Sequence, residues 1–117
     1  MSVSIDGEKV EALVEGLDAL LDHMNDSYRE WMKTDDPIKE RMCSEYHASL
    51  TYYMGKKYVK VVTNESVCAF VVACENDKKF EFGDILKPAG WRAPARNFRR
   101  GNVLDRTFDR VRWTGAL

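Results

Sequence analysis

The sequence predicts an α+β domain: an N-terminal helical hairpin packed on a small antiparallel β-meander or partial barrel, with an irregular basic C-terminal segment. Three observations carry this expectation. Apolar residues recur at steps of three and four through the first 50 positions, β-branched and aromatic residues dominate residues 58–86, and proline, glycine and arginine dominate from residue 87. At 117 residues, with 44% apolar and 32% charged side chains, the chain has the size and composition of one globular domain. It divides into an acidic helical part (1–50), a β-meander (51–86) and a basic aromatic tail (87–117).

The first helix is the clearest element. Val10, Leu13, Val14, Leu17, Leu20, Leu21, Met24, Tyr28 and Trp31 form one apolar stripe at helical period. Asp6 suits the N-cap, and Ile5 and Val10 are placed for a hydrophobic staple. The helix is expected from about residue 7 to about residue 33, roughly 40 Å of rise. Thr34, Asp35 and Asp36 then break the pattern, and Pro37 suits the first position of a second helix ending near residue 49. Ile38, Met42, Tyr46 and Leu50 are its expected apolar stripe.

The character changes near Thr51. Tyr58–Thr63 and Val67–Cys74 read as a hairpin across the turn residues Asn64, Glu65 and Ser66. Glu75–Lys78 reads as a second turn, and the alternation of Lys79–Phe82 predicts a strand with Phe80 and Phe82 on one face. Gly83 and Asp84 interrupt before a short strand at Ile85–Leu86; the aspartate suits a turn in which its carboxylate accepts backbone amides. A helical turn over Pro94–Arg99, stopped by Gly101, and a last strand through Val103–Leu104 or Val111–Trp113 complete the expectation.

Several classes are disfavoured. Cys43, Cys68 and Cys74 are odd in number and irregular in spacing, so buried thiols are expected rather than a disulfide framework. Cys68 and Cys74, six apart in one predicted strand, should share a face. His23 and His47 stand at no finger-like spacing from a cysteine pair and read as surface residues, so no metal and no cofactor is expected. No phosphate loop, nucleophile elbow or zincin motif occurs, and the expectation is a non-enzymatic protein. The uncharged run Ser66–Cys74 is too short to span a membrane, and no cationic leader precedes an apolar stretch.

The net charge of −1 conceals a polarity. Residues 1–50 carry 12 acidic and 5 basic side chains, whereas residues 87–117 carry 8 basic and 2 acidic ones. In the tail, cations interleave with Trp91, Phe98, Phe108 and Trp113. Guanidinium groups fit phosphate and aromatic rings stack on bases, so the pattern suggests a nucleic-acid site. Lys87, Arg92, Arg96, Arg99 and Arg100 are its candidate phosphate ligands, with Trp91 and Phe98 as stacking or shaping residues. Two structural alternatives compete: the aromatics are core beneath a rim of solvated arginines, or the arginines pair with the acidic helices. Lys56, Lys57 and Lys60 either extend the basic surface or protect a sheet edge, the latter being the commoner use. On the first helix, Glu11, Glu15, Asp18, Asp22 and Asp26 form an acidic row that either keeps a long helix soluble or contacts a protein, including a second copy of the chain.

The tail also carries a resemblance. Lys57–Val62, Ser66–Val67, Phe70–Val71, the run Gly83–Arg96, Arg100–Asn102 and Trp113–Gly115 resemble a set of small uncharacterised proteins of tailed bacteriophages, with Gly83–Asn102 the most specific part. The resemblance covers about half the chain. It implies expression in the bacterial host cytoplasm, and it implies either handling of nucleic acid or binding of a host protein to inhibit or redirect it. It supplies no functional residue.

Overall fold

In the computed structural model, which describes residues 7–32, 37–63, 66–74, 77–112 and 114–116, the leucine stripe becomes helix α1 (Gly7–Met32). Leu13, Leu17, Leu20, Met24 and Tyr28 are buried along it. Helix α2 (Pro37–Ser49) returns beside α1, giving the expected hairpin. Asn25 and His47 join the two helices through Nδ2 and Nδ1 at 2.8 Å, and the Tyr28 and Tyr46 rings stack at 4.4 Å. The proposed cap and staple at Ile5 and Asp6, the joint at 34–36, the turn residues 64–65 and 75–76, and Trp113 lie outside the described residues.

A five-stranded antiparallel sheet follows, ordered as the chain runs: β1 (Thr51–Met54), β2 (Tyr58–Thr63), β3 (Ser66–Val72), β4 (Asp84–Leu86) and β5 (Gly101–Asn102). It is an open meander. Its inner face, with Val59, Val61, Val71 and Ile85, packs against α1 in the main core. Its outer face carries a smaller cluster of Phe70, Val72, Phe80 and Leu86, with Tyr58 and Val67 against it. Residues 87–100 cross this outer face. The chain then turns back, and the ladder β6 (Val111–Arg112) with β7 (Gly115–Ala116) closes on α1 and β3. Val103, Val111 and Ala116 belong to the main core, so the second half of the tail is not a loose appendage.

Six expectations are corrected. The apolar stripe of α2 is rotated: Cys43, Tyr46 and Leu50 are buried, while Ile38 and Met42 are exposed, because only the C-terminal half of the helix meets the sheet. Trp31, at the far end of the α1 stripe, is exposed as well. Lys79–Phe82 is not a strand. The Asp77 carboxylate accepts from the amides of Lys79 (2.9 Å) and Phe80 (3.0 Å), a local alternative to ladder pairing. Phe80 then joins the outer cluster and Phe82 the inner core. Pro94–Arg99 is not helical; Pro94 bridges to Pro88 and caps a loop. Cys68 and Cys74 pack in different clusters, since a register shift at Val61/Val62 changes the alternation of β3. Finally, β1 was not anticipated, and it makes β2 an interior strand, so Lys60 guards no edge.

Candidate nucleic-acid interface

The β1–β2 hairpin sets the geometry. Tyr53 stands opposite Lys60 in the register, and Lys60 stands opposite Phe70 on β3. Directly paired residues share a face, so the three side chains line up across the outer face. The Lys60 ammonium sits 4.5 Å from the centroid of the Trp91 ring and 6.0 Å from that of Phe70. Trp91 arrives on the loop closed by the Pro88–Pro94 bridge, in which the amides of Ala89 and Gly90 both donate to the Ala93 carbonyl. Tyr53 is 61% exposed and Trp91 is 49% exposed, so neither is core. A shallow cleft of about 350 Å³ is lined by Tyr53, Lys56, Lys57, Lys60, Trp91 and Arg92, among others.

A second cleft, of about 460 Å³, adjoins the first and shares Lys56 and Lys57 with it; Cys74, Asp77, Lys78 and Arg96 complete it. Its carboxylate is already neutralised. Arg96 grips Asp77 with both terminal nitrogens at 2.9 Å and donates to the Tyr58 hydroxyl at 2.5 Å. The Asp77 side chain is only 1% exposed. Above all the hydrogen bond from Arg96, then the amides of Lys79 and Phe80, hold its carboxyl well below the usual range despite burial. The Arg96 guanidinium also lies over Phe80. Arg96 therefore ties the tail to the sheet and shows part of its charge to the cleft.

The remaining tail candidates lie elsewhere. Arg99 donates to the buried Asp84 at 3.1 Å, and the same carboxylate accepts from the Asn102 side chain and the Glu81 amide, the turn role expected of it. Arg100 is buried, with its guanidinium over Phe98, which is 46% exposed. Lys87 is exposed beside the proline bridge. Arg96 and Arg99 thus find their carboxylates at Asp77, before β4, and at Asp84, its first residue, not on the helices. Of the sequence candidates, Trp91, Arg92 and Arg96 come together, joined by Tyr53, Lys56, Lys57, Lys60 and Lys78. Tyr53 and Lys78 were missed as site residues, whereas Lys56, Lys57 and Lys60 take the less common of their two readings, an extension of the basic surface. Gly55-Lys56-Lys57 between two aromatic and β-branched runs was the available hairpin signal, and it brings the lysines beside the tail.

Glu11, Glu15, Asp18, Asp22 and Asp26 are all exposed on α1. They alternate with Leu13, Leu17, Leu20, Met24 and Tyr28 by two positions, about 200° of helical rotation, and so point away from the core. Because α1 covers the inner face of the sheet and residues 87–100 cross the outer one, the acidic row and the basic clefts face in opposite directions. His23 is no simple surface residue: its Nε2 donates to the Val111 carbonyl at 2.8 Å and its ring packs on Phe108, clasping the last hairpin to α1. Among the described residues no helix is long and apolar enough to cross a membrane.

Residues 6–117 match the model of a family of unknown function, DUF7717, and the chain belongs to that family. No curated protein and no solved structure matches it.

Proposed function

We propose that this DUF7717 protein is a non-enzymatic accessory protein of a tailed bacteriophage that binds nucleic acid on the outer face of its sheet, in the bacterial host cytoplasm. One observation carries the reading. Lys56, Lys57, Lys60, Lys78, Arg92 and Arg96 share two adjoining clefts with the exposed rings of Tyr53 and Trp91, and Asp77, the carboxylate in those clefts, is neutralised by Arg96. Cations tracking a backbone beside open aromatic faces are the general design of sequence-tolerant single-strand binders. The resemblance of Gly83–Asn102 to phage proteins supports the source and the compartment. The acidic row on the opposite side supports a second reading, a contact surface for a host protein that the phage inhibits or redirects.

Fluorescence anisotropy with labelled single- and double-stranded oligonucleotides tests the first reading. At about 50 mM salt the protein binds, and affinity falls steeply with salt, by roughly 0.7–0.9 in log–log slope for each phosphate contacted. The double variant Lys60→Glu/Arg92→Glu loses about tenfold or more in affinity while keeping its fold, since Arg92 is exposed and Lys60 half-buried. No binding to either probe at that salt sinks the reading. A protein captured from nuclease-treated host lysate, and lost when Asp18 and Asp22 become lysine, would favour the second.

A further inference from the structure

Arg100 enters β5 with its backbone locked: its amide donates to the Ile85 carbonyl at 2.7 Å. Its side chain goes under Phe98 instead of outward, leaving the residue 5% exposed. One terminal nitrogen donates to the Asn97 side-chain oxygen and to the Phe98 carbonyl, both at 2.6 Å. These acceptors are neutral. The Nε–H is buried and has no acceptor at all. Arg96 and Arg99 each hold a carboxylate, but Arg100 has none within ion-pair distance among the described residues. A second cation stands close by. The guanidinium carbons of Arg100 and Arg110 lie 3.8 and 5.5 Å from the centroid of the same Phe98 ring. Burial first, and then the charge of Arg110, disfavour the protonated form of Arg100.

A buried charge without a counter-charge is costly, and a like charge beside it adds to the cost. An arrangement of this kind is stable in company with an anion. Arginine forks and a phosphate group match in charge and in geometry. We infer that the buried Arg100 and the exposed Arg110, both against the Phe98 ring that covers Arg100, form a phosphate-binding site at the β5 edge of the sheet. It is separate from the clefts at the β1–β2 hairpin. Where the phosphate belongs to a polynucleotide backbone, the inference rests on the nucleic-acid reading: the strand then runs from the hairpin across the outer face to β5. A free phosphate is the other source of the same chemistry.

Arginine Nε–H resonances of the full-length protein provide the test, titrated with sodium phosphate and with sodium chloride at matched ionic strength. The expected result is a saturable shift of the Arg100 and Arg110 signals with phosphate only. Arg110→Gln, an exposed change, weakens phosphate about tenfold, the loss of one charge-assisted partner. Lys60→Glu leaves this titration unchanged. A second arm measures an oligonucleotide by anisotropy, where Arg110→Gln costs a similar factor if the phosphate is a backbone one. Phosphate shifts without oligonucleotide binding keep the site, assign it to a free phosphate and remove the nucleic-acid reading. Oligonucleotide binding that depends on Lys60 but not on Arg110, with phosphate no different from chloride, keeps that reading and overturns the site.

Discussion

Asp77 does three things with one carboxylate. It accepts two amides, stops a strand from forming at Lys79–Phe82, and anchors the tail through Arg96. Its acidity is depressed in the fold, so the sign of its contribution is set. Its stabilisation is complete above the ordinary carboxylate value of about 4 and is lost as pH falls through the lower folded value. Thermal melts across acid pH therefore show stability falling below about pH 4. Asp77→Asn lowers stability near neutrality by about 1–3 kcal/mol, from the loss of a buried charged partner, and flattens that acid limb. An unchanged acid limb in the variant would assign the acid sensitivity to other carboxylates. The cysteines behave as small apolar groups. Burial pushes the Cys68 thiol up to about 11, so it stays protonated at neutral pH.

Packing overrides propensity within α1. Gly16 is a poor helix former at a position where alanine should help by up to about 1 kcal/mol. Yet a Cβ built there meets the Val103 carbonyl oxygen at 2.7 Å and its Cβ at 2.9 Å, because the returning tail crosses the helix at this point. Gly16→Ala is thus expected to destabilise the protein, by roughly 1–3 kcal/mol in chemical denaturation, against the direction that propensity gives. A stabilised variant would show that the tail shifts freely at this crossing. At the start of β4, Gly83 has a left-handed φ of 88°, which glycine adopts without strain, and it lets Asp84 fold back on the Glu81 amide. The β1–β2 hairpin was the element hardest to read. Thr51–Met54 is short, and three of its four residues are exposed, so it has no buried–exposed alternation to announce it.

The whole molecule is a sheet between two unlike layers, an acidic helix on one face and a basic, aromatic loop on the other. Its charge polarity is spatial as well as sequential. Removing residues 101–117 takes Val103, Val111 and Ala116 from the core and β5 from the sheet. Such a truncation is expected to lose cooperative unfolding by circular dichroism, since three or more buried aliphatic contacts at about 1–3 kcal/mol each are comparable with the stability of a small domain. A truncated chain that still melts cooperatively would show that the tail is dispensable to the fold. The basic surface is also a product of the whole. Lys60 reaches Trp91 and Tyr58 reaches Arg96 only because two segments more than thirty residues apart meet on one face.

The sequence alone determined the helical hairpin, the β2–β3 pairing and the separation of acidic from basic residues. These rest on local properties: a period of three to four in α1, β-branched runs, and composition. The turn role of Asp84 was legible for the same reason, since the amide that donates to its carboxylate is three residues away. Only the tertiary structure decided which arginines have carboxylate partners, which rings are open, and that the lysines of the first hairpin lie beside the tail. Those outcomes depend on strand register and on the path of residues 87–116 across both faces. Such contacts are long-range and leave no period in the chain. Arg92, Arg96, Arg99 and Arg100 look alike in the sequence, but Asp77 and Asp84 hold two of them and burial sets a third apart.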